Sequence, residues 1–105
     1  MTPKRLSDLS AARQAFVRRC QQVGFGKIVC LIVRDSEPEF AEQTRVLRDL
    51  KLTDDANPRP ELDLPDFGLP AELVRLFSRL DAVRNGAIDE IGVRAGLPRM
   101  ITFNA

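Results

Sequence analysis

Apolar residues recur at helical spacing in two parts of the chain. The first part carries one apolar stripe, made of Leu9, Ala12, Phe16, Cys20 and Val23. Steps of three and four residues place these side chains on one side of a helix. Ser7 or Ser10 can cap the start of that helix, and Gly24 can end it because it carries no Cβ. Residues 1–6 are expected to form a frayed tail.

A second stripe of the same spacing follows in the last third of the chain. It consists of Leu73, Leu76, Phe77, Leu80 and Val83. Pro70 suits the first position of this second helix, and Glu72 is favourable near its positive N-terminal end. Asn85 and Gly86 mark its end. Each helical stripe is followed by segments typical of strands, which are predicted at Lys27–Arg34, Arg45–Leu52, Ala87–Arg94 and Arg99–Phe103.

The two halves resemble each other in sequence at an offset of sixty residues. Gly26–Pro38 aligns with Gly86–Pro98 without a gap, and Gly, Ile, Val, Arg and Pro positions coincide. From Ala11 to Arg45 there are eight identities in thirty-five pairs, where composition alone gives about two. We therefore predict a tandem duplication of a unit with the order helix, strand, turn, strand.

This repeat predicts the fold class. Two α-β-β units side by side form an α+β two-layer sandwich, in which a four-stranded, mainly antiparallel sheet carries both helices on one face. Strand order does not follow from the sequence, although a quasi-two-fold axis would bring strands one and three together. The chain is expected to be a single domain, 1–105, with repeat one at about 7–52, a Pro-rich acidic strap at 53–69 and repeat two at about 70–105.

Strand one is unusual because its six central residues, Ile28–Val33, are all apolar. Helices on one side of a sheet cover only every second residue of a strand. The residues on the other side of the strand therefore need a different cover. They are either Ile28, Cys30 and Ile32 or Val29, Leu31 and Val33. The two candidates are a second subunit and the acidic strap, which carries five acidic side chains and one basic one. The strap also contains apolar residues that a solvent-exposed linker would not need.

Composition narrows the functional classes. The chain contains no histidine, so the most common general acid–base group and the most common metal ligand are missing. Neither the two cysteines nor the carboxylates have the spacing of a metal site or a calcium loop. An enzyme is not expected, and no metal or cofactor is predicted. No signal peptide or membrane span is evident, so a cytoplasmic location without membrane contact is the default expectation.

We expect a small protein-interaction or assembly module that self-associates, as a homodimer or with another protein, through the open sheet face. Exposed apolar patches of this size usually mark interfaces. The candidate binding residues are Arg34, Arg94, Val29, Leu31 and Val33. Arg34 and Arg94 lie at equivalent strand ends, where a symmetric pair of guanidinium groups would approach one acidic partner. The simpler interpretation is that each arginine caps a turn or pairs with a nearby carboxylate.

Nucleic-acid binding is the alternative function. Thirteen of the sixteen basic residues are arginine, which binds phosphate well. A basic stripe is expected from Arg13, Arg18, Arg19, Arg45, Arg48 and Lys51. The near-neutral net charge of +1 and the absence of paired aromatic residues at strand spacing argue against this alternative.

Overall fold

The computed structural model describes residues 4–50, 52, 64 and 66–103. The two predicted helices are confirmed as α1, Ala11–Val23, and α2, Ala71–Val83. Helix α1 begins after Ser10, whose side chain accepts a hydrogen bond from the backbone N–H of Arg13. Pro70, expected at the first helical position, instead occupies the N-cap position just before α2 and makes no side-chain capping hydrogen bond. A short 3₁₀ helix, Leu6–Asp8, precedes α1 and includes Ser7.

The sheet has five strands within the described residues. They are β1 (Gly26–Arg34), β2 (Glu37–Glu39), β3 (Arg45–Arg48), β4 (Gly86–Arg94) and β5 (Leu97–Thr102). All pairings are antiparallel, and the strand order is β2-β1-β4-β5, with β3 also paired to β1. Because β4 lies along one edge of β1, β2 and β3 share the other edge. The fold is the expected α+β class.

Strands β1 and β4 are neighbours at the centre of the sheet, as the quasi-two-fold prediction required. Gly26 pairs with Val93, and Val33 pairs with Gly86. Sixty residues after Gly26 lies Gly86, and sixty residues before Val93 lies Val33, so the second pair is the repeat equivalent of the first. The turns follow the same relation, because the N–H of Ser36 donates to the carbonyl of Arg84 and the N–H of Gly96 donates to that of Gly24, each over 2.8 Å. The duplication itself stays a prediction.

The second strand of each half differs from its prediction. In the first half no strand was predicted between Arg34 and Arg45, and Asp35, Ser36, Glu37 and Pro38 were expected to form a turn. Residues 37–39 instead pair with the end of β1 as β2, and Val33 lies opposite Pro38. The chain then loops out and returns as β3, which ends at Arg48 instead of Leu52. In the second half β5 begins at Leu97 directly after the turn. The sheet therefore has five strands where four were expected.

The core lies between the sheet and the two helices. Its buried residues are Leu6, Leu9, Phe16, Val17, Cys20, Val23, Ile28, Leu31, Val33, Leu73, Leu76, Phe77, Leu80, Ile88, Ile91 and Val93. Strand β1 contributes Ile28, Leu31 and Val33, a spacing that simple alternation does not produce. Cys30 has a φ of 59°, in the left-handed region, so the strand is irregular between residues 28 and 31 and the buried side shifts by one residue.

Gly26 explains how β3 reaches β1 closely. A Cβ at this position would lie 2.0 Å from the carbonyl oxygen of Leu47, which no real side chain tolerates. The equivalent Gly86 has only a Val83 side-chain carbon nearby, at 3.5 Å. The close approach is therefore specific to the first half, where β3 lies against the start of β1.

The N-terminal segment is anchored from Lys4 onward, contrary to the expected tail through residue 6. Leu6 is buried, and its N–H donates to the carbonyl of Phe67 over 2.9 Å. Leu69 donates in turn to the carbonyl of Lys4. The described end of the acidic strap therefore packs beside the helices, and both Phe67 and Leu69 contact the core. Residues 53–63 and 65 of the strap lie outside the described part of the chain.

Candidate functional site

The sheet face turned away from the helices is the first candidate surface, and we call it the open face. Strand register places its residues in rows that run across the sheet. One row contains Leu47, Lys27, Gly92 and Met100, and the next contains Arg45, Val29, Glu90 and Thr102. A third joins Glu39, Ile32 and Ala87. Within the described residues, no helix or loop packs over these rows.

The open face combines apolar side chains with charges of both signs. Met100 is 71% exposed and Leu47 is 36% exposed, while Val29 and Ile32 are half-buried. Lys27 Nζ lies 3.4 Å from Glu90 Oε1 at the centre of this surface. A second pair joins Arg34 Nε to Glu39 Oε2, also at 3.4 Å. The resulting surface is mixed, without a strong excess of one charge.

Two of the predicted binding residues, Leu31 and Val33, do not lie on this face. Val29 belongs to it, but Leu31 and Val33 are fully buried against the helices, with exposures of 0% and 1%. The prediction of Val29, Leu31 and Val33 as one surface is therefore corrected. Alternation breaks near Cys30, which has a left-handed φ, and β4 shows the same spacing of buried residues at Ile88, Ile91 and Val93.

The structure separates Arg34 from Arg94. Both are exposed strand ends, but β1 and β4 run antiparallel, so the two arginines lie at opposite ends of the sheet. Nine residues of extended strand correspond to roughly 30 Å. Arg34 pairs with Glu39, which matches the simpler interpretation given for it. Within one chain the two guanidinium groups cannot approach the same small partner.

Arg13, a member of the predicted basic stripe, is a structural residue. Its Nη2 donates to Asp81 Oδ1 over 2.6 Å and to the carbonyl of Ser36 over 2.9 Å. Its guanidinium lies over the ring of Phe77, 5.0 Å from the centroid. Arg13 Nε is also 3.7 Å from Glu37 Oε2. The side chain thus joins α1 to α2 and to the β1–β2 turn.

Arg18 is also occupied by contacts within the chain. It donates to Gln21 Oε1 over 3.0 Å and to the carbonyl of Leu64, and it lies over the ring of Phe67. These contacts hold the described end of the acidic strap against α1. Arg19, one residue later, is exposed on the same helix.

The remaining residues of the basic stripe do not continue it. Arg45 lies opposite Val29 on the open face, whereas Arg48 lies opposite Gly26 and so is on the other side of β3. Lys51 lies outside the described residues. The structure therefore distributes the predicted nucleic-acid residues over different surfaces, and two of them, Arg13 and Arg18, already have partners.

A groove that the sequence did not predict lies between α2 and β5. It has a volume of about 430 Å³, and Leu76, Pro98 and Ile101 are among its apolar lining residues. Arg75, Arg79 and Arg99 also line it. Neither Arg75 nor Arg79 was singled out from the sequence. The pattern that would have indicated them is their spacing of four residues, which places both on the same helix side.

The cysteines differ in environment. Cys20 is buried in the core, and burial raises the pKa of its thiol to about 12. Cys30 is half-buried in β1, where its carbonyl accepts a hydrogen bond from Thr44 Oγ1 over 2.7 Å. Both thiols are free. In the described part of the chain no group of three or more Cys, Asp or Glu residues is arranged to hold a metal ion.

Among the carboxylates of the described residues, Asp66 has a clearly lowered pKa. It accepts hydrogen bonds from Arg5 Nε at 2.8 Å, from the N–H of Ser7 at 2.9 Å and from Ser7 Oγ at 2.9 Å. The hydrogen bond from Arg5 is the main reason that the pKa of Asp66 lies well below its usual range, and the Ser7 N–H adds to the effect. This contact links the N-terminal segment to the strap end and has no reactive group beside it.

No protein-family model matches this chain, and comparisons with curated proteins and with solved structures likewise find no match. Among the described residues, no helix is both long enough and apolar enough to cross a membrane. The geometry of the surfaces is therefore the basis for a functional proposal.

Proposed function

We propose that this protein is a non-enzymatic interaction module that self-associates through the open face of its sheet. The observation that carries this proposal is the row formed by Leu47, Lys27, Gly92 and Met100 across four strands. It combines exposed apolar side chains with a central ion pair, and no described residue covers it. Apolar surface of this kind is stabilised when a partner removes it from water.

A second copy is the partner that best fits the charges of this face. A two-fold interface brings a surface against itself, so the surface must be self-complementary. The open face carries Lys27, Arg34 and Arg45 interspersed with Glu39 and Glu90. A copy of the same chain can therefore place carboxylates opposite cations, whereas a strongly acidic or basic partner would meet like charges.

The position of the strap end supports the same choice. Phe67 and Leu69 pack against the core, and Arg18 binds the carbonyl of Leu64 on the α1 side. The described end of the strap is thus committed to the helix layer, away from the open face. Of the two covers considered from the sequence, the second subunit is the one we propose. A cytoplasmic location and a tandem duplication of the two halves are also part of this proposal.

A pair of Ala→Glu variants tests where the interface lies. Ala87 is exposed on the open face opposite Ile32, so Ala87→Glu introduces a carboxylate into the proposed interface. Ala15 is exposed on α1, and Ala15→Glu is the matched control. Sedimentation velocity should show weaker self-association for Ala87→Glu, by about tenfold or more in Kd, since a buried unpaired charge is costly.

The control should associate like the unmodified chain. Equal association of both variants would contradict the assignment of the open face. Far-ultraviolet circular dichroism and thermal melting of each variant establish that the fold is retained, so that a change in association reports on the surface and not on unfolding.

A further inference from the structure

The groove between α2 and β5 has an apolar floor and a basic rim. Leu76 and Ile101 contribute to the floor, and Leu76 is itself almost fully buried. Arg75, Arg79 and Arg99 stand around the groove and are exposed. Apolar surface with a few charged groups at its border is typical of peptide-binding grooves.

The charge of the groove is unbalanced. Arg99 Nη1 lies 3.0 Å from Glu72 Oε2, so one of the three arginines is neutralised within the chain. Arg75 and Arg79 have no carboxylate partner among the described residues. Two unpaired guanidinium groups on one helix side leave a site that favours carboxylates, to which arginine donates two hydrogen bonds at once.

One wall of the groove is the outer edge of the sheet. Strand β5 pairs with β4 on one side, and no strand of the described chain pairs with its other side. At the opposite edge of the sheet, β2 and β3 are short and separated by a loop. Strand β5 is longer, with six residues, although Pro98 and the register shift at Arg99 interrupt its first half. An extended peptide can therefore add as a further strand along residues 100–102.

The first half of the chain shows how the equivalent place is filled. Sixty residues before Leu76 lies Phe16, at the same position of α1. The chain leaves the sheet after β2, and the ring of Phe40 stacks on Phe16 with centroids 6.2 Å apart. In the second half the chain continues straight along β5, and Met100 stands at the position equivalent to Phe40. Leu76 is 4% exposed, so a ligand meets it only at the bottom of the groove.

We infer that this groove binds an extended acidic peptide that carries one large apolar side chain. The peptide backbone pairs with the edge of β5, the apolar side chain lies over Leu76 as Phe40 lies over Phe16, and carboxylates on either side bind Arg75 and Arg79. Met100 belongs both to the open face and to the groove lining, so the tests rely on Ala87 and Arg79, each of which belongs to only one of the two surfaces.

A fluorescein-labelled synthetic peptide, in which glutamates alternate with valines around one central phenylalanine, is the probe. Fluorescence anisotropy measures its binding to the unmodified protein and to two matched variants. Arg79→Glu removes a groove cation, whereas Arg19→Glu makes the same change at the equivalent exposed position of α1. We expect Arg79→Glu to weaken binding by about tenfold or more and Arg19→Glu to leave it nearly unchanged.

Equal losses in the two variants would overturn the inference, because binding would then follow overall charge. The inference would also be overturned if the peptide did not bind, or if a peptide with lysine in place of glutamate bound equally well. Displacement by a single-stranded oligonucleotide at equal concentration would overturn the peptide assignment in favour of a general polyanion site. Thermal melting shows whether Arg79→Glu still folds.

The site of binding is checked separately by amide chemical shifts in the unmodified protein. Shifts confined to Leu97–Thr102 and α2 support the groove, and shifts centred on α1 contradict it. Ala87→Glu should bind the peptide normally, which distinguishes failure of this inference from failure of the proposed self-association.

Discussion

Gly24 and Arg84 occupy equivalent places at the ends of α1 and α2 and have nearly the same backbone conformation. Gly24 has φ 73° and ψ −70°, and Arg84 has φ 63° and ψ −64°. In each case the next N–H donates to the carbonyl of the preceding valine, Val23 or Val83, so that both form a tight γ-turn. Glycine adopts this conformation readily, whereas arginine is strained in it.

Replacing Arg84 with glycine should therefore stabilise the protein. We expect Arg84→Gly to raise the free energy of unfolding by about 1 kcal/mol, because the relief of strain exceeds the added flexibility of the unfolded chain. Ala82→Gly, in the last turn of α2, is the control and should lower it by about 0.5–1 kcal/mol. Urea unfolding measures both. If Arg84→Gly lowered the free energy of unfolding as much as the control does, the backbone of Arg84 would not be strained.

Arg13 should contribute far more to stability than Arg19, although both are arginines of α1. Arg13 donates to Asp81 and Ser36 and lies over Phe77. We expect Arg13→Ala to lower the free energy of unfolding by about 2 kcal/mol, since it leaves several polar groups without their partner. Arg19→Ala should change it by less than about 0.5 kcal/mol. Similar effects in chemical denaturation would contradict the linking role of Arg13.

The contact of Asp66 with Arg5 and Ser7 predicts a pH dependence. The pKa of Asp66 is lowered in the folded state, so its contribution to stability is complete above its ordinary pKa of about 4. That contribution is lost as the pH falls below this value toward the folded-state pKa. The stability difference between the unmodified protein and Asp66→Asn should be largest near neutral pH and shrink in acid. A difference that is constant with pH would exclude this role for the carboxylate.

The two thiols should react at very different rates. Cys20 is fully buried and its pKa is raised to about 12, so almost no thiolate is exposed to a reagent at neutral pH. We expect a disulfide reagent to modify Cys30 first and Cys20 only when the protein unfolds. Cys30→Ser should remove the early phase, and Cys20→Ser the late one. Early modification of Cys20 in the folded protein would mean that the helices do not cover it.

The helices were predictable because their signals are local. Stripe spacing located α1 and α2, and Ser10 supplied a side-chain cap where a cap was expected. The adjacency of β1 and β4 followed from the two similar halves. These predictions need only short-range periodicity or a comparison of the two halves. They do not depend on how distant segments pack.

The side of the sheet on which each residue of β1 lies was not predictable, because the strand departs from simple alternation near Cys30. Alternation assigns Val29, Leu31 and Val33 to one side, but Cys30 at φ 59° breaks that alternation. Strand β2 was missed because Pro38 suggested a turn. A proline is nevertheless tolerated in an edge strand, and β2 is an edge strand. Helix cations such as Arg13 resemble surface residues in sequence, and only the fold brings Asp81 and Ser36 to them.

The molecular mass of the unmodified protein in solution tests the central proposal most directly. Light scattering across the micromolar concentration range should give a mass that rises with concentration from one chain to two, because the open face is covered only when a second copy binds. The mass of one chain at every concentration in that range would contradict the proposed self-association.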